Sequence, residues 1–410
     1  MKEPFSRYQI FVVALVAFLN FTVILDFMIL SPLGAILLEK LHISTEQFGH
    51  VVSAYAFSAG ISGLLSAGFA DRFDRKKLLL FFYVGFLAGT LFCALARSYE
   101  LLLAARIFTG IFGGVMGSIG LAIVTDLFTP SQRGRVMGFV QTAFSASQIL
   151  GLPLGLYLAT KFSWHAPFLM IVGVGLFAGV AIAVGLKPVA DHIKAGPRLN
   201  PFAHLARTAI RPEYVIGFSA TILLATGGFM LMPFGTTYLV HNIHIGMDRL
   251  FIIYLVTGIS SMIFGPLLGQ AADSVGKYRV FAAGSVLTLV MVVYYTRLGP
   301  SPLWWVIVLN VVLFAGITAR MVSSFAMTSA LPEATDRGAY MAIANSLQQL
   351  AGGVAAFVAG LIVHQDETTG ALEHYPTLGI LVGVTTVITM GLMFRVDVLV
   401  KRLAGERAAA

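Results

Sequence analysis

The sequence predicts an all-α membrane protein of twelve transmembrane helices, arranged as two pseudo-symmetric six-helix halves. Three observations carry that prediction. Of 410 residues, 58% are hydrophobic and only 11% charged, and the mean hydropathy is +0.87, a balance outside the range of water-soluble domains. A charged hairpin, Asp71-Arg72-Phe73-Asp74-Arg75-Lys76-Lys77, is wedged between two apolar runs, and a weaker copy, Asp273-Ser274-Val275-Gly276-Lys277-Tyr278-Arg279, follows 202 residues later. Duplication at half-chain spacing marks an internal repeat. The cations are also sorted: Lys40, Arg97, Lys161, Arg249 and Arg297 fall at one end of the spans, Arg106 and Arg320 inside them, and the other 20 of 27 Lys and Arg at the opposite end. Cationic loops resist translocation, so the rich side is read as cytoplasmic, with both termini on it.

In order, the spans are 9–38, 48–70, 78–96, 101–125, 135–160 and 165–186, then 213–240, 249–271, 279–298, 303–328, 339–363 and 376–395. Each is close to the roughly 20 residues that a bilayer demands. The opening MKEPFSRYQ lacks a small-residue cleavage site and is read as the start of a retained helix, not a signal peptide. The domains are therefore 1–187, a cytoplasmic linker 188–212, and 213–410. The linker holds Lys194, Arg198, Arg207, Arg211 and four prolines. Its stretch 201–210 has the pattern of an amphipathic surface helix. Pro130 and Arg133-Gly134 follow span four, and Pro332 and Arg337-Gly338 follow span ten, so the halves match helix for helix. Glycines such as Gly110, Gly113 and Gly114 recur at helical spacing, which allows close helix approach in lipid.

Composition also excludes function classes. The net charge of +8 is explained by topology, so no nucleic-acid partner is read from it. A single cysteine, Cys93, rules out a disulfide framework and a thiolate metal site. No nucleotide-binding loop, metal-ligand cluster or nucleophile–base arrangement is present. The chain is read as a non-enzyme without cofactors, acting on a small molecule and drawing on an ion gradient, as a monomer in lipid.

A charge within a lipid-spanning segment is costly unless paired or hydrated, which makes each one a functional candidate. Four qualify: Asp26, Arg106, Asp126 and Arg320. Asp26 and Arg106 fall at similar depth in the outer parts of spans one and four, which makes them candidates for a buried ion pair and for proton coupling. Separating the two would leave a carboxylate in apolar surroundings, which favours proton uptake; re-pairing favours release. The structural alternative is a static pair that sets helix register. Arg320 has no acid in the neighbouring apolar sequence; it either snorkels to the interface or attracts an anionic group on the substrate. Asn20, Tyr55, Gln141, Gln148, Asn345 and Gln348 are uncharged polar candidates for the cavity lining.

The duplicated hairpins resemble the G-x-x-x-D-[RK]-x-G-[RK]-[RK] signature of the major facilitator superfamily. Ala67 and Asp74 replace the glycines in the first copy; the second keeps Gly269 and Gly276 but has Ser274 at the basic position. Arg106-Ile-Phe-Thr109-Gly110 resembles the family's fourth-helix R-x-x-x-G motif, whose arginine is implicated in proton transfer. Leu25-Asp26-Phe27 followed by Pro32 resembles the acidic first-helix motif of twelve-helix drug–proton antiporters. Gly151-Leu-Pro153-Leu-Gly155 is similar to their G-P-x-x-G-G motif, with Gly and Pro separated. Trp164-His165-Ala-Pro-Phe168 resembles the W-R-x-x-F turn, with His in the Arg position.

The resemblance implies that Arg75 pairs with Asp126 and that Asp71 faces the helix start near Gly338. With Arg72, Asp273 and Lys277 they would form a cytoplasmic latch that holds the cavity open outward. It further implies a proton-coupled exporter of drugs or small metabolites in a bacterial inner membrane, working by alternating access. Proton symport for uptake keeps the same fold. A membrane receptor or intramembrane enzyme is the alternative from another class.

Overall fold

The computed structural model describes residues 5–190, 201–333, 335–366 and 368–409. At several helical positions, Asp71 and Gln141 among them, the side chain lies outside the described residues. Twelve helices are long and apolar enough to cross a membrane. In the first half they are α1 (Arg7–Lys40), α2 (Thr45–Phe69), α3 (Arg75–Leu95), α4 (Tyr99–Leu127), α5 (Gln132–Lys161) and α6 (Ala166–Gly185). In the second they are α7 (Pro212–His241), α8 (Met247–Val275), α9 (Lys277–Tyr295), α10 (Leu303–Thr328), α11 (Arg337–Ile362) and α12 (Tyr375–Ala409). Short connections make successive helices within each half antiparallel, and the linker 186–211 returns the chain to the end that carries the 71–77 hairpin, where its helix packs on α2. Both described chain ends therefore share one end of the bundle with the 71–77 hairpin; it is called the hairpin end below, and its opposite the far end.

Local chemistry sets the boundaries. Ser6 with Gln9 and Ser44 with Gln47 form reciprocal capping boxes that start α1 and α2, satisfying amide donors that a helix start leaves free. Where the first signature copy has Asp74 in place of glycine, its carboxylate caps α3 through the Lys76 amide at 2.7 Å. The second copy keeps Gly276 at φ +112°, a conformation that a side chain disfavours. In α5, residues Ser147–Gly151 widen into a π turn just before Pro153, whose ring and missing N–H disrupt a regular helix there. The last helix runs well past the expected 395, carried beyond the apolar stretch by the i,i+4 ion pairs Asp397–Lys401 and Arg402–Glu406 at 2.6 and 3.4 Å. A two-strand hairpin, β1 (His364–Gln365) with β2 (Leu372–Glu373), joins α11 to α12.

The packing is pseudo-symmetric. Within the halves α2 packs on α4 as α8 does on α10, and α3 on α6 as α9 on α12; between them α2 meets α11 and α5 meets α8. The largest buried apolar cluster spans both halves, from Leu25, Leu33 and Phe48 to Phe234, Leu250 and Tyr375. It lies at the far end, where the seam is also hydrogen-bonded. Thr45 Oγ1 donates to the Val363 carbonyl at 2.5 Å, and the Ser31 hydroxyl donates to the Met232 carbonyl beside the Pro233 break in α7. Phe48 packs on Phe234 and His50 stacks on Phe357. A Cβ on Gly49 would come within 3.0 Å of Gly360 Cα, so α2 and α11 touch backbone to backbone. The linker helix Pro201–Ala209 packs at the hairpin end against α2, α7 and α11.

Candidate functional site

The site is built where four first-half helices converge. Asp26 on α1 and Arg106 on α4 are both fully buried. Arg106 Nη1 donates to Asp26 Oδ2 at 2.8 Å and to the Asp26 backbone carbonyl at 3.3 Å. The other carboxylate oxygen, Oδ1, accepts from Thr90 Oγ1 of α3 at 3.0 Å, and that hydroxyl also reaches the Phe86 carbonyl. The Tyr55 ring of α2, 1% exposed, faces the guanidinium with its centroid 4.4 Å from Cζ, a cation–π arrangement. Cys93 Sγ lies 3.7 Å from Thr109 Oγ1, one turn from Arg106. Charge is thus balanced inside an apolar bundle, which is the condition for burying it.

A line of aromatic rings joins this site to the other half. Tyr55 packs on Phe27 at 5.3 Å, and Phe27 on Phe229 of α7 at 5.5 Å. The π turn of α5 adjoins as well: Ser147 Oγ donates to the Phe21 carbonyl of α1 at 3.1 Å. Thr90 and Phe229 escape sequence reasoning, because a lone hydroxyl or ring in an apolar helix has no distinguishing pattern; Thr90 could have been sought only as a polar residue at the depth of Asp26.

The remaining candidates are dispersed. Gln148 is buried within the π turn, its Oε1 without a partner. Asn20 bonds back to the Val16 carbonyl at 2.9 Å. Asn345 is exposed and Gln348 half-buried on α11; the side chain of Gln141 lies outside the described residues. Arg320 is 5% exposed, and its Nε and Nη2 have no partner among the described residues. At the hairpin end Arg75 Nε meets Asp126 Oδ2 at 3.2 Å and Nη1 meets the Ala70 carbonyl at 2.8 Å. This contact ties α3 to α4 within the first half and does not cross the seam. The side chain of Asp71 lies outside the described residues. Arg72 and Asp273 are exposed and Lys277 half-buried. His165 lies against Trp164 with ring centroids 3.8 Å apart. Among the described residues no group of three His, Cys, Asp or Glu could hold a metal ion.

Comparison with known proteins settles the family. The model of the Major Facilitator Superfamily matches residues 16–356 and 217–409. The chain belongs to this superfamily. It is 29% identical over 266 residues to the uncharacterized MFS-type transporter YceJ of Bacillus subtilis, covering 64% of this chain and 67% of that one. It is 23% identical over 367 residues to a probable sugar efflux transporter of Helicobacter pylori, covering 88% and 90%. The fold resembles the solved nucleoside transporter NupG, with a TM-score of 0.74 at 13% identity over 94% and 98% of the two chains. The protein is a multi-pass membrane transporter of the major facilitator fold and not an enzyme. In superfamily terms the halves are its two six-helix repeats, and the buried pair lies wholly in the first.

Proposed function

We propose that the protein is a proton-coupled secondary transporter that exports a small organic molecule across a bacterial inner membrane, with the hairpin end cytoplasmic. The observation that carries this reading is the buried Asp26–Arg106 pair, joined through Tyr55 and Phe27 to Phe229 of the other half. Rocking of the halves shifts Phe229 and, through that contact, the side chains packed on Arg106. A carboxylate parted from its arginine in apolar surroundings takes up a proton; one restored to it releases the proton. Likeness to a probable sugar efflux transporter supports outward direction, and the excess of cations at the hairpin end supports the orientation.

The test uses proteoliposomes with a pH-sensitive dye in the lumen and a panel of lipophilic cations, sugars and amphipathic anions. A compound that moves protons only when the protein is present supports coupling, and the sign of the change separates export by antiport from uptake by symport. Asp26→Asn should retain exchange of labelled compound across the membrane but lose accumulation driven by a gradient. Full gradient-driven accumulation in Asp26→Asn would sink the proposal.

A further inference from the structure

Two of the three buried arginines have acidic partners: Arg106 has Asp26, and Arg75 has Asp126. Arg320 on α10, 5% exposed, has none among the described residues, and its Nε and Nη2 are buried without any hydrogen-bond partner. Two further polar groups on α9 and α10 are also unsatisfied among the described residues. Ser285 of α9 and Ser323 of α10 are fully buried, and neither hydroxyl finds a partner among the described residues. The two helices pack closely here: a Cβ on Gly284 would lie 2.7 Å from Ala319 Cβ and 3.4 Å from the Arg320 backbone nitrogen. Ser285 follows Gly284 directly, and Ser323 is three residues beyond Arg320, on the adjoining face.

Three neighbouring hydroxyls on these two helices are satisfied within their own helix. Thr288 bonds to the Gly284 carbonyl at 2.8 Å, Thr318 to Phe314 at 2.7 Å and Thr328 to Ser324 at 2.9 Å. Hydroxyls in lipid-spanning helices normally satisfy themselves in this way. Here a guanidinium and two hydroxyls on one pair of packed helices are left unsatisfied among the described residues. Buried charge without a counter-charge is strongly unfavourable, and an ionised residue at such depth marks a substrate or ion path by default. A guanidinium presents paired N–H donors that match two oxygens of one anionic group.

We infer that Arg320, with Ser285 and Ser323, forms an oxoanion site between α9 and α10 that takes a carboxylate or phosphate group. This rests on the transporter reading above and narrows it: the anionic group belongs to the transported molecule or to a lipid headgroup, and the transported class in the first case is an organic anion.

The test is thermal unfolding of the full-length protein in phosphatidylcholine nanodiscs with paired probes: succinate against succinamide, a hexose phosphate against the free hexose, and inorganic phosphate alone. A parallel arm adds no probe and replaces part of the lipid with phosphatidylglycerol. An anionic probe should raise Tm by a few degrees, as expected for binding well above its Kd, and its neutral counterpart should not. Arg320→Gln should abolish the shift, Arg320→Lys should keep part of it, and Ser323→Ala should weaken it. A shift that appears only with phosphatidylglycerol, and only with Arg320 present, supports the site with a headgroup as its occupant. No anion-dependent shift in either arm, or an equal shift in Arg320→Gln, overturns the inference. Removing an unpaired buried charge should not harm folding, so lost response in that variant cannot be blamed on misfolding. The readout is binding without a gradient. It can fail while proton-coupled flux persists, and coupled flux can fail while the shift persists.

Discussion

One guanidinium nitrogen, Arg106 Nη1, holds Asp26 twice, by its carboxylate at 2.8 Å and by its backbone carbonyl at 3.3 Å. The pair therefore joins α4 both to a side chain and to the main chain of α1.

Removing one partner strands the other. Arg106→Gln should destabilise the protein by about 3–5 kcal/mol, because it leaves a buried carboxylate without its counter-charge. The double variant Asp26→Asn with Arg106→Gln should recover most of that loss. Thermal unfolding of the two singles and the double gives the coupling directly; additive losses would mean that the two residues do not act as a pair.

Thr90→Val keeps the shape of the side chain and removes the donor to Asp26 Oδ1. A hydrogen bond to a charged group typically contributes about 1.5–3 kcal/mol. The expected result is a stability loss within that range, together with altered pH dependence of gradient-driven transport, both restored by Thr90→Ser. Wild-type behaviour of Thr90→Val in both assays would remove Thr90 from the site.

At the far end, a Cβ on Gly360 would lie 3.0 Å from the Thr45 carbonyl and 3.1 Å from Gly49 Cα. Gly360→Val should thus pry α2 from α11. Transport should fall at least tenfold while the protein still folds, and amide exchange in 44–52 and 357–363 should speed up. Unchanged exchange there would show that the seam tolerates the extra bulk.

Asp366 organises the hairpin that joins α11 to α12. Its Oδ1 accepts from the Thr368 and Thr369 amides at 2.8 and 2.7 Å and from both hydroxyls. The Thr368 hydroxyl and the two amides hold the carboxyl at about 2, against an ordinary 3.8. A lowered folded value means that the charged form is favoured by folding. Its contribution is full above the ordinary carboxylate range and is lost as pH falls through that range towards about 2. Exchange protection of the Thr368 and Thr369 amides should therefore survive mild acid and fade only in that window, and Asp366→Ala should lack it at neutral pH. Fading already at weakly acidic pH would show that the Asp366 carboxylate does not hold the turn.

Much of this architecture is written plainly in the chain. Lipid forces every span to be long and apolar, so the twelve helices are visible as runs, and the 202-residue offset of the hairpins exposes the repeat. Asp26 and Arg106 stand out because charge is rare in such runs. Less visible is whatever depends on three-dimensional neighbours. Nothing in the sequence around Thr90 distinguishes a carboxylate ligand from a hydroxyl bonded to its own helix, and Ser285 and Ser323 look like ordinary small packing residues. The π turn is hinted at only by Pro153 after Gly151. The 364–373 hairpin was hidden in a short polar loop, and α12 outran its apolar stretch because charged i,i+4 pairs prolong a helix after hydrophobicity ends.

Cys93 is the only thiol in the chain and is fully buried beside Thr109. The native protein is therefore chemically silent to maleimides as long as the first half stays closed around Arg106. A covalent adduct on the unmodified chain would report that this interior had opened to the reagent, and a single cysteine introduced elsewhere could be labelled without first stripping the protein of its own.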